Sequence, residues 1–419
     1  MARSGRISDR FDLVFILQLV VVALANTGIN ALRPMITYRA LGLGAGPLEV
    51  GLIAAVFSIA PALLAVFIGR SVDRVGEVWF IRSALALMTL GAIGAVIIDS
   101  LWLLTFSQVL SGLGHVTNLI AGQALVANRG GREQRDHRYG YYSTMGSFGH
   151  LTGPLLGTTL VTQLALADGP LPQIVDNPQA PAFLAAAVCA ALAFGLAWLL
   201  PWRRPDRPTD GDQEGERLIS SAGRVLSRPG MPFALLVSMI VVSSIDVLLA
   251  YMPLYGEVRG LAVSTVGILL AVRAAASMVS RLLMGYLIAR LGRNWLLAIS
   301  MTSAAVGLAA LPLVTSPIVL GALMFLIGLG LGIGQPITMA WVANRSPRAE
   351  RGTALGVRLT GNRTALVVVP VVVGAIAGVS GVSLIFWIIA IVLAGGAVVG
   401  YRAPLDTAAP PRPVDVGAP

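Results

Sequence analysis

Asp246 stands in the middle of an apolar run, VVSSIDVLLAY. A charge at the centre of a bilayer costs at least about 3 kcal/mol on insertion scales, so such a residue faces a partner or a watery cavity. It has company. Arg273 lies inside LLAVRAAASMVSR, with Arg281 two turns further on, and Arg358, Asn362 and Arg363 enter a later apolar segment. Near the N-terminus Asn26, Asn30 and Arg33 occupy i, i+4 and i+7 and share one helical face. His115 and Asn118 share another, and His150, Gln123, Gln335 and Trp341 add polar groups to otherwise apolar segments. Two chemistries suit this set. In one, Asp246 pairs with Arg273 or Arg358 and the pair only fixes helix register. In the other, the arginines form a positive cavity, since a guanidinium presents a planar fork that suits carboxylate or phosphate. Asp246 is then the group that carries a proton or cation. Both can hold in turn, with the ion pair formed when the cavity is empty and exchanged for solute when it is loaded. Each histidine reads either as a packing residue or as a proton relay.

The elements that must position these groups are membrane spans. Over 419 residues 56% are hydrophobic, 12% are charged and the mean hydropathy is +0.80. A soluble domain carries about 25% charged residues. The apolar blocks, each near the roughly 20 residues a span requires, number twelve: 12–38, 48–69, 79–98, 101–127, 138–163, 181–201, 231–254, 264–288, 295–314, 318–343, 353–378 and 383–402. Phe11–Tyr38 is long enough to span and shows no small-residue cleavage site, so it reads as a span rather than a removed leader. The chain has no lysine. Its arginines crowd the N-terminus and the joints at 70–82, 129–138, 203–228, 290–293 and 345–351, whereas only Arg39 and Arg259 fall in loops on the other side. That asymmetry places both termini in the cytoplasm, and it accounts for the net charge of +10 without nucleic acid as a partner. Cys189 is the only cysteine and reads as a small hydrophobe in an apolar run. The joint 202–230 begins as a Pro/Asp-rich linker. Leu218, Ile219, Ala222, Val225 and Leu226 then recur at helical spacing, with Arg217, Arg224 and Arg228 on another face. This fits a basic amphipathic helix on the membrane surface, or an ordinary linker. The tail from Ala403, rich in Pro and Ala, reads as disordered.

The chain also repeats itself. VANR at Val126–Arg129 returns at Val342–Arg345, and the same offset of 216 aligns much more. Val50-Gly51 meets Val266-Gly267. Gly69, Arg74 and Gly76 meet Gly285, Arg290 and Gly292, while Gly112 and Gly114 meet Gly328 and Gly330. Gly140, Thr144 and Pro154 meet Gly356, Thr360 and Pro370. Asp246 falls on Asn30. Six spans per repeat give both halves the same orientation, the parallel arrangement in which a solute site lies between the halves near the bilayer midplane. The expected organisation is a bundle at 1–201, a linker at 202–230, a second bundle at 231–402 and a tail at 403–419.

Two motifs add to the repeat. The turn after the second span reads GRSVDRVGE, Gly69–Glu77, and its counterpart GYLIARLGR, Gly285–Arg293. Span five holds GHLTGPLLG, Gly149–Gly157. Over its whole length the chain resembles the major facilitator superfamily. The first motif is similar to that family's loop signature, with Glu77 where a basic residue is usual and Ala289 where the second half would carry an acid. The resemblance implies a conformational latch made by Gly69, Asp73, Arg74, Gly76, Gly285, Arg290 and Gly292. The second motif, Gly149, Gly153, Pro154 and Gly157, resembles the signature of the antiporter branch and implies efflux; its small residues also suit close helix packing. Span four departs from that branch: QVLSG puts Gln108 where a buried arginine is usual. The resemblance further implies that the first span of each half lines the central cavity.

The expectation is an all-α membrane protein of twelve helices in two pseudo-symmetric six-helix bundles. It would act as a secondary active transporter moving a small anionic or amphipathic solute by proton-coupled efflux. The alternatives are proton-linked uptake of an organic acid, or a non-transporting sensor or scaffold. Coupling candidates are Asp246, His150 and His115. Candidate solute contacts are Asn26, Asn30, Arg33, Asn118, Gln123, Arg273, Gln335, Arg358, Asn362 and Arg363. No phosphate-cradling loop, zinc-spaced histidine pair or Gly-x-Ser-x-Gly elbow occurs, so no enzyme activity, cofactor or metal is expected. The partners are the solute, protons and the bilayer, and the protein is expected to be a monomer in a bacterial inner membrane.

Overall fold

The computed structural model describes residues 13–97, 99–128, 132–166, 177–202, 223, 226–345 and 351–402. Of the surface helix proposed for 217–228, residues 217–222, 224 and 225 lie outside the described residues, as does the tail 403–419. Among the described residues the structure is helical, with twelve long helices. They are α1 Leu13–Gly42, α2 Pro47–Val75, α3 Glu77–Ile97, α4 Leu101–Asn128, α5 Arg132–Leu166, α6 Ala180–Ala197, α7 Met231–Val258, α8 Val263–Leu291, α9 Arg293–Ala310, α10 Pro317–Asn344, α11 Arg351–Ser380 and α12 Ser383–Arg402. Eleven are long and apolar enough to cross a membrane. The exception, α5, opens with the charged stretch REQRDHR and carries Ser147, His150, Thr152 and Thr158 further along. Several helices outrun the apolar blocks. α2 continues to Val75, and α5 and α11 begin at Arg132 and Arg351, because a helix need not stop where the hydrocarbon does.

Helix ends follow from local chemistry. Proline occupies the first turn of α2, α6 and α7, where its missing N–H costs nothing. Gly76 and Gly292 end α2 and α8 at φ 104° and 74°, a backbone region that side chains disfavour. Each donates its N–H four residues back, to Val72 and Ile288 at 2.9 Å. These two turns mark one end of the bundle, termed the signature end. The short turns around Gly44 and Gly260 mark the other, the turn end.

Lipid tails give no hydrophobic drive to bring helices together, so association rests on close packing at small residues. The packing obeys the repeat atom by atom. A Cβ on Gly112 would stand 2.0 Å from the carbonyl of Phe57, and one on Gly328 would stand 2.3 Å from that of Arg273, the equivalent residue. Gly114 lies on Ala84 and Met88, and Gly330 on Ser300 and Ala304. The outward face is left to lipid: Trp102, Ile318 and Val379 are 84%, 84% and 90% exposed.

The halves meet along α2–α11, α5–α8 and α1–α7. Gly51 packs on Pro370 and Gly374 on Pro47. Gly267 packs on Thr158. The Tyr251 hydroxyl reaches the carbonyls of Pro47 and Pro370 at 3.1 and 2.7 Å, and Thr37 donates to Ala250 at 3.0 Å. All of these sit toward the turn end. At the signature end no described residue stands where a Cβ on Gly69 or Gly285 would be. The halves are sealed at the turn end, and further toward the signature end a described contact between them is the Arg281–Ser147 hydrogen bond.

Candidate functional site

A seam between the halves collects the charged groups. Arg33 on α1 donates to Asp246 on α7 at 2.5 Å, an ion pair across the two halves. The same guanidinium lies 4.6 Å above the Phe57 ring, which in turn stacks near His115 at 5.9 Å. Asp246 thus pairs with Arg33, not with Arg273 or Arg358 as the first reading of the charges held. The physical reason is helix rotation: α1 and α7 face one another, and spacing along a helix does not fix which way it turns toward a neighbour. The second oxygen of Asp246 is buried without a hydrogen-bond partner among the described residues, and Arg363 lies within its electrostatic reach.

The remaining candidates separate into three settings. Arg358 is held within the second half, donating to the Gln335 carbonyl, the Gln335 side chain at 2.5 Å and Thr338 at 3.2 Å. Gln335 in turn donates to the Ser238 carbonyl, and Ser238 donates to Asn362. Arg281 bonds the Gly332 carbonyl and, across the halves, Ser147 on α5 at 3.1 Å. Arg273 is 5% exposed, makes no ion pair or hydrogen bond with its guanidinium among the described residues, and has Arg281 and His150 within electrostatic reach. His150 is itself solvent-accessible although Arg33, Arg273 and Arg281 lie around it, so its open side is the central cavity. His115 has Arg363, His150 and Arg33 about it.

Asn26 and Asn30 do not present their amides to this cavity. Each donates back along α1, to Val22 and Asn26 at 2.9 and 2.8 Å. Their Cβ atoms lie where Gly149 and Gly153 of α5 approach, while Gly157 packs on Ala31. The signature glycines of α5 thus make the α1–α5 contact, and Thr27 meets Thr152 at 3.0 Å beside it. Asn118 and Trp341 are buried, with Oδ1 and Nε1 unpartnered among the described residues; Gln123 is exposed.

Sequence reasoning underrated Gln108. It is 2% exposed with an unpartnered Nε2, and it lines a narrow cavity with Arg33, Thr37, Ile53 and Ala250. The guanidinium absent from α4 is present in the same cavity, supplied by α1. The signal was available, since Gln108 was singled out as a departure and Arg33 as an in-span charge. At the signature end Arg74 and Glu77 each have a contact, and Arg290 lies 5.5 Å above the Tyr286 ring; the side chain of Asp73 lies outside the described residues.

Comparison with known proteins agrees with this geometry. The family model described as Major Facilitator Superfamily matches residues 18–272 and 259–418. Among curated relatives, the protein called "Putative multidrug resistance protein MdtD" from Yersinia enterocolitica is 29% identical over 147 residues, 35% of this chain and 30% of that one. Its namesake in Yersinia pseudotuberculosis is 30% identical over 138 residues, 33% and 29% of the two chains. The match thus spans under a third of these relatives' length. Solved structures superpose far more fully at low identity. The nucleoside transporter NupG gives a TM-score of 0.73 at 13% identity over 93% of this chain and 100% of that one. A D-xylose-proton symporter gives 0.73 at 14%, over 93% and 98%. A bacterial homologue of the human lysosomal transporter Spinster gives 0.70 at 16%, over 95% and 98%. At such identities the likeness is one of fold.

Proposed function

The chain belongs to the Major Facilitator Superfamily, and from that premise we propose that it is a secondary active transporter exporting a small anionic or amphipathic organic solute in exchange for protons. The two bodies that rock are taken as residues 1–201 and 231–402. With the signature end in the cytoplasm, as the arginine asymmetry implies, the seal at the turn end closes the outer side, and the solute enters from the inside. The setting is a bacterial inner membrane with both termini cytoplasmic. The relatives' name supports efflux.

The observation that carries the coupling is the Arg33–Asp246 pair. It joins the halves close to the seal at the turn end. Opening that end separates α1 from α7 and releases the carboxylate from its guanidinium, so Asp246 binds a proton in one state and Arg33 in the other. Alternating access then alternates the proton affinity of one group, as an antiporter requires. Counterflow in proteoliposomes tests this. Asp246→Asn should abolish proton-driven accumulation while leaving passive exchange of solute intact; unchanged proton-linked accumulation removes Asp246 from the mechanism.

The excess of guanidinium groups favours a second reading, proton-linked uptake of an organic acid. Oriented vesicles separate the two: an acid-outside gradient drives solute inward only if this second reading is right.

A further inference from the structure

Five arginines and one carboxylate lie in the interior of the spans, and the structure shows how each positive charge is answered. Arg33 has Asp246. Arg358 has a side-chain amide, a carbonyl and a hydroxyl. Arg281 has a carbonyl and Ser147. Arg363 is partly open to the cavity and has Asp246 within reach. Arg273 is left over. It is nineteen-twentieths buried, since only 5% of it is exposed. Its Nε is sealed from solvent without a partner, while its terminal nitrogens keep some accessible surface and pair with no described residue. Its charged neighbours are basic or basic-capable: Arg281 one way and His150 the other. An unanswered buried charge is among the costliest arrangements a protein can hold, and lipid makes it costlier.

The repeat shows that this cost is not imposed by packing. The residue equivalent to Arg273 in the first half is Phe57, whose carbonyl makes the same contact with Gly112 that Arg273 makes with Gly328. An uncharged side chain satisfies the scaffold at that position. The charge of Arg273 is thus not a requirement of packing at that position.

We propose that Arg273 and His150 form the anion-binding subsite of the transporter, taking the carboxylate or phosphate group of an organic acid or phosphate ester. The subsite lies in the α5–α8 seam, apart from the Arg33–Asp246 pair in the α1–α7 seam. Arg273 supplies the planar fork that such a group accepts in two parallel hydrogen bonds. His150 supplies a further donor from the opposite half. A ligand there spans both halves, which is how binding energy reaches the rocking motion. Arg358, already bonded within its own half, is not the primary contact. The assignment rests on the transporter reading but is tested through binding alone.

The test is thermal unfolding of the full-length protein in detergent. The probes are benzoate, citrate, phenyl phosphate and inorganic phosphate, with tetraphenylphosphonium and choline as cation controls. An organic anion should raise the wild-type midpoint saturably, and a response confined to carboxylates or to phosphates assigns the group. In Arg273→Met the ligand-free midpoint should stay level or rise, because an unanswered charge is gone. The apparent affinity for the anion should fall at least about tenfold, the loss of a bidentate charged contact. Arg273→Lys, which keeps charge without the fork, should retain a weaker response and guards against misfolding of the methionine variant. The proposal is overturned if no organic anion stabilises the wild type, if only the cations do, if Arg273→Met binds the anion as well as wild type, or if both variants unfold at lower temperature without ligand. Transport fails separately: normal proton-linked counterflow in Asp246→Asn beside an Arg273-dependent anion response would leave the subsite standing and remove the coupling assignment.

Discussion

The two halves share a skeleton and differ in chemistry. Gly112 meets Phe57 as Gly328 meets Arg273; Gly114 and Gly330 are likewise matched in position and contact, and Gly76 and Gly292 in position and positive φ. Where the halves face each other the match fails: Asn30 stands opposite Asp246 in the alignment, Phe57 opposite Arg273, and His115 opposite Leu331. The first half contributes both histidines of the cavity and one arginine, and the second contributes the carboxylate and four arginines. Positions that set helix separation are held equal because both bundles solve the same packing problem. Positions on the seam are free to diverge because they do not set the helix spacing within either bundle.

If the skeleton is truly shared, equivalent damage should cost equally. Gly112→Val and Gly328→Val each force a side chain against a backbone carbonyl. Each should lower stability by about 3 kcal/mol or more, at the upper end for overpacking, and reduce the yield of monodisperse protein in detergent to a similar degree. A severe loss in only one half would break the equivalence.

The seal at the turn end offers a finer comparison. Tyr251 anchors the α2–α11 seam to two carbonyls, whereas its counterpart in the first half is Met35, and the α5–α8 seam rests on Thr158 against Gly267. Tyr251→Phe should remove about 1 kcal/mol from the sealed state, shifting the balance toward a state open at the turn end by roughly fivefold. Thiol labelling of a cysteine placed at Val50, in a Cys189→Ala background, reads that shift; unchanged labelling would mean the hydroxyl contributes nothing to closure.

The smallest effect is expected where the halves brace their outer loops differently. The first uses Arg39 on Asp99 at 2.7 Å, with Asp99 80% exposed. The second uses Tyr255 and Arg259 on the carbonyls of Leu311 and Pro312. An exposed pair is worth about 1 kcal/mol at most, so Asp99→Asn should move the unfolding midpoint only slightly, and less in high salt. A large drop would show that this loop carries structural weight that its exposure conceals.

The fold was legible because its signals are additive: long apolar blocks, a strict offset of 216 and glycines recurring at that offset each report on backbone geometry. The pairing inside the cavity was not. Asp246 and Arg33 lie in different halves, and which arginine reaches the carboxylate depends on rotations of α1 and α7 that a helical period leaves undetermined. Asn26 and Asn30 share a stripe with Arg33, yet a stripe is wide enough to serve two purposes. Its asparagines back-bond and admit the glycines of α5 while its arginine crosses to α7. Gln108 read as a missing charge; only its shared cavity with Arg33 shows the charge displaced by one helix.

The contacts of Gly51 on Pro370 and of Gly267 on Thr158 close the two related seams one helical turn out of register, since the offset of 216 places Pro370 on Pro154 and Thr158 on Gly374. Each half supplies one helix to each seam, so if the halves move as rigid bodies both seams open together. A solute that loosened one edge of such a rigid pair would loosen the other in the same movement.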